Sequence, residues 1–380
     1  MKNKEGIAVK TTFWGAAVFY LLIAFEFAYM AGPFAFYFYS VYSPALNFFN
    51  QSPLLAWLIS FFFPHVVRQT SSSIINIHEI IGGIMAVLGF LGFCFGACQV
   101  YYHKLAKKGA VTGGVYNFIR HPQYASFIMC SLGLLILWPR YIVLVMFITM
   151  IFVYYFLAKS EEKECEEKFG QSYIDYKNKT NMFFPVKLPF VAKLPSLPKP
   201  KLKKFLALLA IYVATQAIAI GIAVSINYLS INSLYALYTE SSANIAVCQI
   251  ESEKLENVIN IALMNEEIKD RMKRVNLDKN QKFLNYILPT QWYAAEIPMN
   301  GYQYRKGHKS PSNYNKDLYK VIFTKADLRS KDVTGKDILI NTLRREPIIE
   351  VWVDTAEQKV VEILGMPKEI KYDNIPVAIY

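Results

Sequence analysis

Two groups of charged and aromatic residues flank a long apolar stretch in the middle of the chain. The first contains Arg120, His121 and Tyr124, and the second begins with the adjacent carboxylates Glu161 and Glu162. Polar residues confined to the two ends of a membrane-length apolar stretch are the pattern expected of a site at the lipid boundary. The sequence therefore predicts a functional site here, and the other segments must position it.

The apolar stretch between the two groups predicts a helical hairpin. Residues 124–138 and 141–159 are apolar, and Pro139-Arg140 divides them. A helix needs about 20 apolar residues to cross a bilayer, so the first limb is short for a full crossing. We expect a tight hairpin whose first limb begins inside the membrane.

Other apolar segments surround the hairpin. Residues 13–31 and 205–229 are long enough to span a bilayer, and residues 80–102 form the clearest span. Residues 32–77 are aromatic and interrupted by prolines, so they are interfacial pieces, re-entrant pieces or a short hairpin. The predicted membrane region has about five spans.

Glycines in the clearest span predict its packing face. They recur at helical spacing, and two of them form a small-xxx-small step that lets another helix approach closely. No strand precedes them and Gly-x-Gly-x-x-Gly is absent, so they do not indicate a nucleotide-binding loop. These glycines are Gly82, Gly89, Gly92 and Gly96.

The distribution of charge predicts the orientation of the chain. Of the formal net charge of +12, residues 1–227 contribute 20 Lys/Arg against 9 Asp/Glu, whereas the remainder contributes 21 against 20. A basic excess confined to membrane loops indicates anionic lipid rather than nucleic acid as the partner. Lys and Arg number 18 on one set of loops and 2 on the other, which places residues 103–123 and 159–204 in the cytoplasm.

The C-terminal region, residues 230–380, predicts a small α+β domain on the extracytoplasmic side. A helical pattern runs from about Ser241 to Val275. The charges of the whole C-terminal region nearly balance, which suggests a protein partner. Later runs alternate β-branched with polar residues and predict strands. These runs are residues 319–324, 347–354 and 359–364.

Residues capable of nucleophilic or metal chemistry form no recognisable pattern along the chain. Five cysteines are scattered along the chain without the spacing of a disulfide framework or a zinc site. His308 lies beside two lysines and is expected to be a solvated loop residue. The sequence therefore predicts no metal site and no Ser-His-Asp arrangement.

The two polar groups together resemble the carboxy-terminal signature of the integral-membrane methyltransferases, which include the isoprenylcysteine carboxyl methyltransferase and phospholipid methyltransferase families. Order and spacing agree over about residues 79–189. The elements that carry the resemblance are Gly114-x-Tyr116, Arg120-His121-Pro122-x-Tyr124, Glu161-Glu162, Phe169-Gly170-x-x-Tyr173-x-x-Tyr176 and Pro185.

This resemblance implies a cofactor, S-adenosylmethionine, and a substrate that is a membrane lipid or a lipidated molecule. Carboxylates and hydrogen-bonding aromatic side chains suit the cationic sulfonium and the amino group of such a cofactor. Positioning and exclusion of water supply most of the rate of methyl transfer, so no catalytic residue is assigned. The implied cofactor-binding residues are Gly114, Tyr116, Arg120, His121, Pro122, Tyr124, Glu161, Glu162 and Tyr173.

Three positions depart from the family's pattern. Ser126 replaces a usual glycine, and Lys159 replaces a usual arginine before the glutamate pair. Met182 occupies a position that is often arginine, which removes a cation that would pair with a substrate carboxylate. Carboxyl methylation is therefore less firmly indicated than methyl transfer in general.

Two other functions agree with parts of the sequence. The membrane sterol reductases share a similar ending, and Cys165 with Lys168-Phe169-Gly170 resembles one of their motifs, which would imply NADPH. Those enzymes have a longer membrane portion before this ending. The other alternative is a non-catalytic methyltransferase-like scaffold that anchors the C-terminal domain.

The predicted architecture is a multi-pass membrane α-helical bundle of about five spans, with a helical hairpin in its core, plus a small extracytoplasmic α+β domain. The predicted domains are an N-terminal membrane helix and interfacial region (residues 1–78), a methyltransferase-like core (79–189), a basic proline-rich linker with the last membrane helix (190–229) and the C-terminal domain (230–380).

Overall fold

The chain forms two compact units. The membrane unit contains residues 78–222, and the C-terminal unit contains residues 35–77 and 223–380. The computed structural model describes residues 35–52, 54–106, 111–185, 200–300, 308–367 and 375–380, together with single residues at 21, 198, 370 and 372.

These units divide the chain differently from the predicted domains, because residues 35–77 pack with the C-terminal unit. Helices α1 (Ala35–Gln51) and α2 (Ser73–Asn76) belong to this segment. Between them, Phe61 and Phe62 are buried, and the backbone N–H of Arg68 donates to the carbonyl of Val247 at 2.9 Å. Aromatic residues expected at a membrane interface thus form part of a protein core. The helix predicted at residues 13–31 lies outside the described residues, apart from the single residue Leu21.

The membrane unit is helical, as predicted. Three described stretches, residues 73–103, 141–169 and 201–232, are long and apolar enough to cross a membrane, and a shorter apolar helix covers Pro122–Leu137. The last of them begins in the membrane unit, but its residues from Ala223 onwards belong to the C-terminal unit. The helices are α3 (His78–Leu105), α4 (Pro122–Leu137), α5 (Tyr141–Phe169), α6 (Gln171–Lys179) and α7 (Lys201–Asn232).

The predicted hairpin is formed by α4 and α5. Pro122 occupies the first turn of α4, where its missing N–H costs no helical hydrogen bond. Helix α5 continues beyond the predicted end at Lys159 and carries Glu161 and Glu162 on its last turns. It ends at Gly170, whose φ of 56° is a left-handed conformation that glycine adopts without strain.

Helices α3 and α4 pack with their backbones close together. A Cβ added to Gly89 would lie 2.3 Å from the backbone nitrogen of Cys130, and one added to Gly133 would lie 2.4 Å from the nitrogen of Ala86. Only glycine permits this approach. The packing face predicted on α3 is thus confirmed, and its partner is the first limb of the hairpin.

The C-terminal unit is built on a six-stranded sheet whose strands follow one another in chain order. All neighbours pair antiparallel except β2 and β3, which are parallel and are connected through two helices, as parallel neighbours require. The three predicted strands are confirmed within β4, β5 and β6. The strands are β1 (Ala236–Tyr238), β2 (Ser242–Ala246), β3 (Gln281–Pro289), β4 (Leu318–Leu328), β5 (Thr342–Asp354) and β6 (Lys359–Leu364).

The helix predicted from Ser241 to Val275 is partly wrong. Its first residues form β2, where Ile245 is buried and pairs with Tyr286 of β3. Two helices follow, α8 (Ser252–Met264) and α9 (Glu266–Arg274), while a short α10 (Asp337–Asn341) precedes β5. Asn265 separates α8 from α9 because its side chain accepts hydrogen bonds from the first N–H groups of α9.

Candidate functional site

Backbone hydrogen bonds bring the two polar groups of the membrane unit together. The N–H of Arg120 donates to the carbonyl of Asn181 at 2.8 Å, and the N–H of His121 donates to the carbonyl of Met182 at 3.1 Å. The segment before α4 therefore lies against the segment after α6. This contact holds the side chains of the first group beside the carboxylates of α5.

Glu162 is the centre of the resulting cluster. Its side chain is only 1% exposed, and its carboxylate lies 2.7 Å from Nε of Arg120, 3.0 Å from Nζ of Lys177 and 3.5 Å from Nε2 of His121. The Arg120 guanidinium also donates to the carbonyl of Lys177 at 2.9 Å and to that of Thr180. Charge-assisted bonds of this kind offset the cost of burying a carboxylate. Glu162 therefore fastens the two polar groups together.

Two of the three unusual positions are explained by this packing. Nζ of Lys159 lies 3.9 Å from the Glu162 carboxylate, so the cation usual at this position is retained. Ser126 faces α3, where a Cβ added to Gly92 would lie 2.6 Å from its hydroxyl oxygen. The backbone carbonyl of Met182 accepts the hydrogen bond from His121, and this contact does not depend on the side chain.

Glu161 has a different environment from its neighbour. Its side chain is 41% exposed, its carboxylate accepts a hydrogen bond from the hydroxyl of Tyr124, and it lies 3.6 Å from Nδ1 of His121. No permanent cation among the described residues forms an ion pair with it. Glu161 is therefore the carboxylate of the pair that a bound cation can reach.

An aromatic stack lies next to Glu161. The ring of Tyr124 stacks on His121, with centroids 5.5 Å apart and planes at 2°, and on Tyr154, with centroids 5.0 Å apart and planes at 13°. Tyr154 was not predicted as a site residue. Its position seven residues before Glu161, two turns earlier on α5, was the available signal.

The remaining predicted residues contact one another and neighbouring residues next to the cluster. The hydroxyl of Tyr176 donates to the carbonyl of Tyr116 at 2.7 Å, and its ring lies 5.7 Å from that of Tyr173. Burial raises the pKa of Tyr176 to about 12, so its hydroxyl stays a donor at neutral pH. Gly114 has a φ of 64°, and a Cβ added to it would lie 2.5 Å from Nε2 of Gln99. These contacts order the loop that carries Gly114 and Tyr116, and cofactor binding by Gly114, Tyr116 and Tyr173 stays a prediction.

Comparison with known proteins identifies part of the membrane unit. Residues 79–172 match the family model described as phospholipid methyltransferase. This region is similar to the membrane methyltransferases. The chain is also similar to the protein-S-isoprenylcysteine O-methyltransferase of Saccharomyces cerevisiae, at 29% identity over 136 residues. That alignment covers 33% of this chain and 56% of the yeast protein, so the chain spans about half the length of that relative. No solved structure matches the chain.

The family match confirms the resemblance seen in the sequence and agrees with its extent. The matched residues include the predicted site residues from Gly114 to Glu162, which come from both polar groups, and end just before Tyr173. Lys177, which pairs with Glu162, lies beyond them and was not predicted. The C-terminal unit lies outside the match.

The C-terminal unit contains a second cluster of titratable side chains, and it corrects one prediction. His308 was expected to be a solvated loop residue, but its side chain is only 14% exposed and its Nε2 lies 2.8 Å from the carboxylate of Glu296. His65 contacts the same carboxylate at 3.6 Å. His65, Glu296 and His308 come from separate segments of the chain. Their spacing in the sequence matches no metal-binding motif, so sequence reasoning did not detect this cluster.

Proposed function

We propose that the protein transfers a methyl group from S-adenosylmethionine to a membrane lipid or a lipidated molecule at the cytoplasmic face of a membrane. The observation that carries this proposal is the arrangement of Glu161, Glu162, Arg120 and His121 within a region that matches a methyltransferase family. The excess of Lys and Arg on the same loops supports the cytoplasmic side.

The residues of the cluster fit this cofactor. S-adenosylmethionine supplies a methyl group on a cationic sulfonium and also carries an ammonium group. The Glu161 carboxylate is partly exposed and accepts a hydrogen bond from the hydroxyl of Tyr124, and no lysine or arginine among the described residues forms an ion pair with it, so it can attract such a cation. The adjacent stack of His121, Tyr124 and Tyr154 gives the surroundings of Glu161 an aromatic and largely apolar character, which suits the adenosyl part of the cofactor.

Glu162 has a supporting role in this proposal. Its carboxylate is already neutralised by Arg120 and Lys177, so an additional cation gains little from it. By fixing the loop before α4 to α6, it holds His121 and Tyr124 in place beside Glu161. Accurate positioning matters because methyl transfer requires the donor and the acceptor to lie in line.

The acceptor in this proposal reaches the cluster from the lipid. The apolar helix α4 begins at the cluster, and the apolar part of α5 leads to it, so a hydrophobic substrate approaching along them would place its polar end beside the site. Methionine at position 182 leaves no guanidinium there for a substrate carboxylate. We therefore favour an acceptor on a lipid headgroup, with a lipidated cysteine carboxylate as the second candidate.

Calorimetric titration of the purified full-length chain tests the cofactor. We expect S-adenosylhomocysteine to bind and NADPH not to bind. Binding of NADPH alone would support the sterol-type reductase, which the family match already disfavours. Binding of neither ligand would support a non-catalytic scaffold.

A further inference from the structure

The cluster in the C-terminal unit has the composition of a metal site. His65, Glu296 and His308 each offer one ligand atom, and these atoms all lie within 4.8 Å of one another. The two imidazole rings meet edge to face, with centroids 5.4 Å apart and planes at 76°. The carboxylate lies between them, at 3.6 Å from Nε2 of His65 and 2.8 Å from Nε2 of His308.

Each ligand is held by contacts of its own segment. The N–H of His65 donates to the carbonyl of Tyr380 at 2.9 Å. Arg345 donates to the backbone carbonyl of Glu296 at 2.7 Å and to that of Ala378 at 2.8 Å, so the Glu296 backbone is fixed. A site whose ligands are fixed in advance avoids much of the entropy cost of binding.

The position of His308 is set by its neighbour in the chain. Lys309 and Tyr293 form a pair of backbone hydrogen bonds, each 2.8 Å long, which is a short antiparallel bridge. This bridge places His308 beside the turn that carries Glu296. The contact therefore does not depend on a single flexible side chain.

The burial of Glu296 requires a compensating positive charge. Its side chain is 3% exposed, and removing an ionised carboxylate from water is costly unless a cation pairs with it. Among the described residues, the ion-pair contacts of this carboxylate are with two imidazoles. Imidazole is a common ligand of divalent transition metals, and such an ion would supply a permanent positive charge beside the carboxylate.

We propose that His65, Glu296 and His308 bind a divalent transition-metal ion of the zinc type in the C-terminal unit. Two histidines and one glutamate are a known ligand set of zinc sites that keep a fourth position for water. Both imidazole side chains are 14% exposed, so solvent reaches this side of the cluster. Ligand atoms on a tetrahedral zinc ion lie about 3.4 Å apart. The three ligand atoms here lie within 4.8 Å of one another, so adjustments of the three side chains would admit the ion.

The ion would join segments that are distant in the chain. His65 precedes α2, whereas Glu296 and His308 follow β3. A link that closes a long loop reduces the freedom of the unfolded chain and stabilises the folded one. The metal would therefore stabilise the attachment of residues 35–77 to the rest of the C-terminal unit.

Metal analysis of the full-length protein tests this proposal. The protein should be purified in detergent without a histidine tag or a chelator and analysed by mass spectrometry for bound metals. We expect about one ion per chain for the native protein, as for a single mononuclear site. In His308→Gln we expect the content to fall by about tenfold or more, since the loss of even a supporting residue can weaken metal binding to this extent.

The control variant is Glu350→Gln, which changes another buried carboxylate of the same unit. Glu350 is 3% exposed, accepts hydrogen bonds from Asn300 and Trp352, and is not one of the three proposed ligands. It should keep the native metal content. Cobalt added to the metal-stripped native protein should give a visible absorption band that zinc displaces.

The outcome that overturns the proposal is also specific. If the native protein contains no metal, and if neither zinc nor cobalt binds after stripping, the three residues form a hydrogen-bonded ion pair only. The cobalt spectrum keeps the test decisive even if His308→Gln does not fold, because it needs only the native protein.

Discussion

Two buried glutamates, one in each unit, differ in what surrounds them. Glu162 of the membrane unit is 1% exposed and is paired with Arg120 and Lys177, whose charges are permanent. Glu296 of the C-terminal unit is 3% exposed, and its ion-pair contacts among the described residues are with two histidines. A buried carboxylate is thus paired with permanent cations in one unit, and in the other with imidazoles that can themselves bind a metal ion.

This difference indicates separate roles. A carboxylate saturated by arginine and lysine serves to join segments, since those cations cannot be replaced without loss of charge pairing. A carboxylate beside two imidazoles has the ligand types of a transition-metal site. In the membrane unit, we propose that ligand binding falls to Glu161, the more exposed neighbour of Glu162.

The largest expected effect comes from removing the guanidinium that pairs with Glu162. Arg120→Gln leaves a buried carboxylate with one strong cation fewer and also removes hydrogen bonds to the carbonyls of Lys177 and Thr180. We expect the free energy of unfolding to fall by about 3 kcal/mol, the usual cost of breaking a buried pair. Thermal or denaturant unfolding in detergent measures it.

A matched control for this variant is Lys163→Gln. Lys163 and Glu167 form an ion pair on the same helix at 3.7 Å, but their side chains are 78% and 68% exposed. Its loss should change stability by less than about 0.5 kcal/mol. Equal losses in the two variants would show that Arg120 and Glu162 do not fasten the cluster.

The next largest effect concerns the close packing of α3 and α4. In Gly89→Ala the new Cβ would lie 2.3 Å from the backbone nitrogen of Cys130, so α3 and α4 must separate. We expect a loss of about 2 kcal/mol, within the range for overpacking. Gly83→Ala is the control, because its Cβ would meet nothing within 4 Å. If both substitutions have the same effect, the close packing of these helices is not required.

A smaller effect separates the two adjacent glutamates. Glu161→Gln should lower the affinity for S-adenosylmethionine by about tenfold, near the value of a hydrogen bond to a charged group. The affinity for S-adenosylhomocysteine should fall less, because its sulfur carries no charge. Calorimetry with both ligands measures this, and unfolding experiments should show unchanged stability. An equal loss for the two ligands would remove Glu161 from contact with the sulfonium.

The smallest expected effect tests whether the two clusters act independently. His308→Gln should leave the affinity for S-adenosylhomocysteine within about twofold of the native value, since sites without shared partners contribute additively. The same sample should have lost its metal. A parallel loss of cofactor binding would mean that the two units depend on each other.

Much of the membrane unit could be predicted because its signals are local. The hairpin follows from Pro139-Arg140 between two apolar runs, and the glycines of α3 lie at helical spacing. The meeting of Arg120 with Glu162 could be expected from the resemblance to a known family. Lys177 and Tyr154 were missed because their roles depend on contacts between helices.

The C-terminal unit was harder to predict, since its main contacts join distant segments. Residues 61–68 are aromatic and apolar, which suits a membrane interface as well as a protein core, and only their pairing with residues near Val247 and Tyr380 decides between them. The cluster of His65, Glu296 and His308 depends on the same long-range packing. The side of the membrane on which each loop and the C-terminal unit lie stays a prediction, and so does a protein partner for this unit.

The most direct test of the account is transfer of a labelled methyl group. The purified full-length protein should be incubated with methyl-labelled S-adenosylmethionine and membrane lipid, and the label in the extracted lipid should be measured. We expect label in lipid with the native protein and much less with Glu161→Gln at low cofactor concentration. Absence of transfer to any lipid or lipidated acceptor, by a protein that binds S-adenosylhomocysteine, would contradict the proposed activity.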